Sequence, residues 1–137
     1  MGLTGTSELA SFDGDAALEA AREAAGDDLL SFVEFTSDDH RPLYVADEIV
    51  EMYRDEEHLL DHYDRVLAHL NMDFLERDTY EGTLLPNAGS VRAIVTRMDE
   101  LVLLRMLAGG EGLYIALAPG ADVDAVIDAV EPVTDSG

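Results

Sequence analysis

Apolar residues recur at helical spacing in three parts of the chain. These segments are residues 15–25, 57–70 and 123–130. In the longest, Leu59, Tyr63, Val66 and Leu70 stand at i, i+4, i+7 and i+11, which is the repeat of a helix that buries one face. Each segment begins near an Asp that can cap a helix, and Pro132 is expected to stop the last one. The pattern predicts a helix at each place.

Five further segments are short, apolar and rich in β-forming residues, as strands are. They are residues 29–36, 43–46, 91–96, 101–107 and 113–118. The first two are predicted to form a hairpin and the last three an antiparallel meander. Residues 101–107 are almost wholly apolar, which is typical of a central strand covered on both faces. The pattern of residues 74–80 fits either an edge strand or an irregular segment.

These elements predict an α+β fold in the order α-β-β-α-β-β-β-α, with helices packed on one antiparallel sheet of about five strands. The length of 137 residues is typical of a single domain, and a chain of this size can bury a core without disulfides or a metal. We expect the domain to span residues 13–132. Residues 1–12, rich in Gly, Thr and Ser, are expected to form a loose tail, and residues 133–137 a polar C-terminal tail.

The balance of charges is strongly acidic. Asp and Glu number 30 against 8 basic residues, all of them Arg, so the net charge is -22. Such a chain lacks the basic surface of a nucleic-acid-binding protein and would be repelled by an anionic membrane. Screening in concentrated salt relieves the self-repulsion, because the Debye length is about 3 Å at 1 M. Abundant carboxylates without Lys therefore predict a protein of an extremely halophilic archaeon. With no signal peptide evident, we expect it in the cytoplasm.

Two resemblances rest on particular features. The element order resembles the roadblock/longin/profilin-like fold. The sequence itself is similar to a small family of haloarchaeal proteins with no assigned activity, through residues 35–45 (FTSDDHRPLYV) and 90–106 (SVRAIVTRMDELVLLRM). Roadblock proteins often dimerise and serve as platforms for small GTPases, so the resemblance implies a homodimer and a protein partner. It carries no catalytic motif, so no functional residues transfer to this chain.

The predicted long helix contains a short histidine motif. Residues 58–62 have the form H-x-x-D-H, and two His at i and i+4 on one helix face can chelate zinc. The motif is similar to the inverted zincin motif H-x-x-E-H, but its Asp is one methylene shorter. We interpret the segment as a polar helix flank and predict no metal. His58, His62 and Asp61 are the candidate ligands if the chain is instead a metal-binding protein or hydrolase.

Other motifs do not indicate catalysis. The glycines of residues 109–112 join two predicted strands, so they predict a hairpin turn and not a phosphate-binding loop. No serine stands in the G-x-S-x-G or S-x-x-K pattern of a nucleophile. We therefore predict no catalytic residue, no cofactor and no enzymatic activity.

Three arginines fall on adjacent predicted strands of the meander. Arg92, Arg97 and Arg105 can pair with surface carboxylates or receive an acidic partner or ligand. Arg92 and Arg97 differ in strand parity, so they should point to opposite faces of the sheet. Arg97 and Arg105 are expected to be neighbours across the turn at residues 99–100.

We predict a non-catalytic interaction or regulatory module that self-associates. An open sheet edge invites pairing unless charges block it, and residues 90–96 carry a single charge. The predicted two-fold contact combines this edge with one flank of the long helix. Its residues are Leu60, Leu67, Val91, Ala93 and Val95.

The second hypothesis is a small-molecule sensor or ligand-binding domain. It requires a cavity between the sheet and a helix, lined by Tyr44, Tyr63 and Tyr114 together with an Arg.

Overall fold

The computed structural model describes residues 3–53 and 55–135. Its helices are α1 (Gly14–Ala25), α2 (Asp47–Val50), α3 (Glu56–Thr79) and α4 (Val123–Asp135), with a 3-10 turn at Gly26–Asp28 and a π-helical turn at Tyr80–Leu84. Its strands are β1 (Leu3–Thr4), β2 (Leu29–Thr36), β3 (His40–Val45), β4 (Ile94–Arg97), β5 (Val102–Ala108) and β6 (Glu111–Leu117). The predicted order α-β-β-α-β-β-β-α is confirmed, and the structure adds the short α2 and the short strand β1, which lies within the segment predicted to be a loose tail.

The strands form one sheet in the order β1-β3-β2-β6-β5-β4, and each described pair is antiparallel. The meander pairs β4 with β5 and β5 with β6, and β6 then closes against β2 of the hairpin. Gly109 has a φ of +65° in the tight turn between β5 and β6, which confirms the predicted hairpin turn. The two edges of the sheet are β1 and β4. A single antiparallel sheet together with packed helices confirms the predicted α+β architecture.

Helices cover both faces of the sheet. On one face, α1 and α4 pack over Phe32, Leu104 and Ile115, which are all fully buried. On the other face, α3 lays Leu59 and the neighbouring apolar positions of its stripe over Val33, Phe35 and Tyr114. Both faces of β2 and β6 are therefore buried, which explains why the middle of the sheet is apolar at nearly every position.

The capping residues act as the sequence indicates. The side chain of Asp13 accepts a hydrogen bond from the backbone N–H of Ala16 and begins α1. Asp55 accepts from the N–H of His58 at 2.8 Å and begins α3. Gly26 follows α1 with a φ of +56°, a conformation that favours glycine.

Two helices end later than predicted. The long helix is expected to end at Leu70, but α3 continues to Thr79, so residues 74–80, which the sequence leaves undecided, are helical. Phe74 holds this extension on the sheet through a ring contact with Phe35, at 5.7 Å between centroids. At the other end of the chain, α4 runs past Pro132 to Asp135. The proline lies near the end of that helix, where its missing N–H removes a single backbone hydrogen bond.

The N-terminal segment contacts the sheet through one buried carboxylate. Glu34 of β2 is fully buried and accepts hydrogen bonds from the Ser7 hydroxyl and from the backbone N–H groups of Glu8, Leu9 and Ala10, at 2.8–3.3 Å. Residues 7–10, which the sequence places in a loose tail, are thus tied to β2. The extent of the domain, residues 13–132, stays a prediction.

Candidate functional site

Strand β4 lies at an open edge of the sheet, as the interface prediction requires. It pairs with β5 on one side and with no described strand on the other. Val95 lies within β4 and is 40% exposed, whereas Val91 and Ala93 precede the strand and are half-buried. The predicted pairing edge therefore exists, although its regular part begins at Ile94.

The structure does not bring Leu60 and Leu67 to this edge. They share one flank of α3 with Asp64 and Asn71. The Asp64 carboxylate contacts the His40 ring nitrogen at 2.8 Å, and the Asn71 amide donates to the Ser37 carbonyl at 3.1 Å. Both contacts lie at the β2–β3 hairpin. Because β4 is at the far end of the sheet, the two halves of the predicted interface face opposite directions.

The other flank of α3 faces β5 and β4 across a cleft of about 300 Å³. The apolar stripe of α3 packs with residues of β2 and β6, and the cleft lies between α3 and the β4–β5 end of the sheet. Val66 and Leu70 of α3 supply one apolar wall, and Leu103 and Tyr114 supply the floor. The cleft is thus a concave site with an apolar floor.

The rest of the cleft lining is polar and cationic. His62, Arg65 and His69 line it from α3, and Arg105 and Thr96 line it from the sheet. No Asp or Glu of the described residues lines it. Burial lowers the pKa of His62, and the positive charge of nearby Arg65 lowers it further. The cationic lining of the cleft is therefore opposite in sign to the net charge of the chain, which is -22.

A buried ion pair fixes one wall of the cleft. The Arg105 guanidinium donates from Nε to the Asp73 carboxylate at 3.0 Å, and the two side chains are only 11% and 8% exposed. Its Nη1 donates to the Thr96 hydroxyl at 2.8 Å and to the Leu103 carbonyl at 2.9 Å. These bonds tie α3 to β5 and β4, and they hold the Arg105 side chain in one orientation.

The predicted tyrosine-lined cavity is formed only in part. Tyr114 lines the cleft, and burial raises its pKa to about 12. Tyr63 is buried under α3, where desolvation also raises its pKa to about 12. Tyr44 lies elsewhere, with the Arg22 guanidinium 4.6 Å from its ring centroid. The cavity therefore combines one of the three tyrosines with an Arg, as expected, and adds two histidines.

The two histidines of the motif lie against Tyr53. The centroid of the Tyr53 ring is 5.1 Å from the ring centroids of both His58 and His62. Within residues 3–53 and 55–135, no group of three or more His, Asp or Glu side chains is placed to hold a metal ion. The pair and Asp61 stay candidate ligands on sequence grounds alone.

The meander arginines are arranged differently from the prediction. Arg92 makes two hydrogen bonds to the Glu131 carboxylate of α4, at 2.7 and 2.6 Å, as in ordinary ion pairing. Arg97 lies opposite Val102 in the ladder, whereas Arg105 lies opposite Ile94. Arg97 and Arg105 are therefore at different ends of the β4–β5 ladder, and the expectation that they are neighbours is wrong.

Comparison with known proteins places the chain in a family. A family model described as a domain of unknown function, DUF7522, matches residues 15–135. The chain belongs to the DUF7522 family. No curated protein matches it.

Solved structures show the fold of this DUF7522 chain. A roadblock/LC7 domain from Streptomyces avermitilis is similar with a TM-score of 0.60 and 19% identity, over 86% of this chain and 88% of that one. The gliding protein MglB from Thermus thermophilus has a TM-score of 0.55 and 11% identity, over 98% and 100% of the chains. An MglB structure with a tetrameric arrangement has a TM-score of 0.57 and 10% identity, over 97% and 93%. At these identities the likeness confirms the predicted roadblock-like fold.

Sequence reasoning found some of the cleft and missed the rest. Helical spacing places His62, Arg65 and His69 on one flank of α3, but it does not show which way that flank faces. The sequence does not single out Asp73 as a buried ion-pair partner, because it is one of 30 acidic residues in the DUF7522 chain.

Proposed function

We propose that this DUF7522 chain is a non-catalytic interaction module that self-associates through the β4 edge. The observation that carries the proposal is the position of β4, whose outer side is paired with no described strand. An exposed strand presents unpaired backbone N–H and C=O groups, which pair readily with another strand. Two copies of β4 related by a two-fold axis satisfy each other in this way.

The two edges of the sheet differ in how well they are protected. The opposite edge, β1, contains only two residues, Leu3 and Thr4, and a very short edge strand offers little to a partner. The β4 edge contains four residues and includes the exposed Val95. It contains no Pro, and its single charged residue, Arg97, stands at its C-terminal end. This contrast supports β4 as the contact and retains Val91, Ala93 and Val95 from the predicted interface.

A second feature supports an interaction role. Large apolar side chains are exposed along the end of α3 and the turn that follows it. They are Met72, Leu75, Tyr80, Leu84 and Leu85, between 40% and 69% exposed. Several large exposed apolar side chains within one segment of the chain are typical of a contact surface. The tetrameric arrangement named for one MglB structure shows that this fold assembles in that protein.

The proposal extends to the setting in which the module works. A net charge of -22 opposes contact between two copies, and concentrated salt removes most of that repulsion. We therefore place the module in the salt-rich cytoplasm of an extremely halophilic archaeon, with a protein partner in addition to its own copy. No helix in the described part of the chain has the length and apolarity to cross a bilayer.

Light scattering with matched variants tests the self-association. In about 2 M KCl, where charges are screened within a few ångströms, the chain of 14.9 kDa is expected to give a mass of about 30 kDa. Val95→Asp places like charges opposite each other across the two-fold axis and should return the mass to that of one chain. Leu60→Asp makes the same kind of change on the opposite flank of α3 and should leave the dimer intact. A wild-type mass of one chain at micromolar concentration contradicts the proposal.

A further inference from the structure

The arginines of this chain are unevenly paired. Five of those that the structure describes contact a carboxylate or an aromatic ring: Arg22, Arg41, Arg77, Arg92 and Arg105. Arg65 and Arg97 make no ion pair with any described residue. Arg65 lines the cleft and Arg97 does not, so the charge of Arg65 is the one available to a ligand there.

We propose that the cleft between α3 and the β4–β5 end of the sheet binds a small organic anion, a carboxylate with an apolar body. The carboxylate contacts Arg65, with the His62 and His69 rings beside it. The apolar body lies on Leu103 and the Tyr114 ring. The cleft shares β4 with the proposed pairing edge through Thr96, but the contacts named for the ligand all come from a single copy of the chain.

The lining of the cleft selects an anion with an apolar part. Arg65 supplies a charge that no described carboxylate neutralises, and the absence of Asp and Glu from the described lining removes repulsion at close range. Arg105 contributes less, because its charge is compensated by Asp73 at 3.0 Å. An inorganic ion would leave the apolar floor in contact with water, whereas an apolar chain or ring covers it.

The size of the cleft favours a small ligand over a protein segment. Its volume of about 300 Å³ is at the lower end of the range for small-molecule sites. A ligand with one carboxylate and a short apolar body fits a cleft of this size.

Titration with hexanoate, followed by amide NMR shifts, tests the assignment on the full chain. Hexanoate should shift the amide resonances of residues 62–70 and 103–105, and it should do so with one saturable isotherm. Hexanamide has the same body without the charge and should bind at least about tenfold more weakly, which is the loss expected without a charge-assisted hydrogen bond. Inorganic phosphate should produce no saturable shift at these residues.

Two matched variants separate the site from general electrostatics. Arg65→Gln should weaken hexanoate binding at least about tenfold, whereas Arg41→Gln, which removes a charge on β3 outside the cleft and away from β4, should not change it. Both variants should keep the wild-type mass in light scattering, so a loss of binding is not a loss of assembly. Equal binding of hexanoate and hexanamide, equal losses in the two variants, or shifts confined to other residues would each overturn the assignment.

Discussion

Replacing Asp73 by Asn should destabilise the chain strongly, because it leaves a buried guanidinium without its counter-charge. The two side chains are 8% and 11% exposed, and Asp73 Oδ2 accepts from Arg105 Nε at 3.0 Å. Asn has nearly the same shape as Asp, so the substitution removes the charge with little change in packing. The remaining partners of Arg105, the Thr96 hydroxyl and the Leu103 carbonyl, are neutral.

The size of the effect follows from the burial. Removing one partner of a buried ion pair costs about 3–5 kcal/mol, whereas an exposed pair contributes about 0–1 kcal/mol. An unfolding entropy of about 2.1 cal/mol/K per residue gives about 0.29 kcal/mol/K for 137 residues, so Tm should fall by about 10–17 °C.

Thermal and urea unfolding at constant salt measure this change. Asp64→Asn is the matched control on the same helix, since Asp64 is 70% exposed and pairs with His40 at 2.8 Å. It should cost less than about 1 kcal/mol. The double variant Asp73→Leu with Arg105→Met removes both charges and should recover most of the lost stability.

A loss of less than about 1 kcal/mol for Asp73→Asn would refute the reasoning. It would show that the guanidinium reaches water or another carboxylate when Asp73 is neutral. Equal losses for Asp73→Asn and Asp64→Asn would lead to the same conclusion, because burial would then make no difference.

Three further predictions concern other parts of the molecule. Glu34→Gln turns an amide NH₂ toward backbone donors, so it should lower the free energy of unfolding by about 1–3 kcal/mol. It should also speed hydrogen exchange of the amides of residues 8–10, and unchanged exchange at these amides would contradict the prediction. The pKa of His62 is lowered by burial and by Arg65, so the unfolded state binds more protons and stability should fall as the pH drops below about 6.5. His62→Gln should reduce the difference in Tm between about pH 8 and pH 5, and an identical difference would count against this assignment. The whole chain should lose structure below about 0.5 M salt, where screening of the net charge weakens; a far-UV circular dichroism spectrum and Tm independent of salt would exclude this.

The fold could be predicted because its signals are local. The stripe of Leu59, Tyr63, Val66 and Leu70 needs only helical periodicity, and the meander needs only short apolar runs separated by turns. The extension of α3 to Thr79 could not be predicted in the same way. Its buried positions include Asp73, whose partner lies on β5, far along the chain, and a polar residue at a core position interrupts the apolar pattern.

The candidate site was less predictable, because it depends on how elements face each other. Helical spacing places Leu60 and Leu67 on one flank and His62 and His69 on another, and nothing local decides which flank lies toward β4. That choice is made by contacts such as His40 with Asp64, between residues far apart in the chain. Glu34 is a similar case, since its donors belong to a segment that sequence composition describes as loose.

The central claim, self-association through the β4 edge, is tested most directly by a distance between spin labels. The chain contains no cysteine, so single Cys variants label cleanly. The two labelling variants are Met98→Cys and Thr6→Cys. Met98 lies just after β4 and is 57% exposed, and Thr6 lies just after β1 at the opposite edge. With strands about 4.8 Å apart and about 3.4 Å per residue, we expect a distance below about 30 Å for the label at 98 and about 50 Å or more for the label at 6. A short distance at 6, or none at 98, would contradict it.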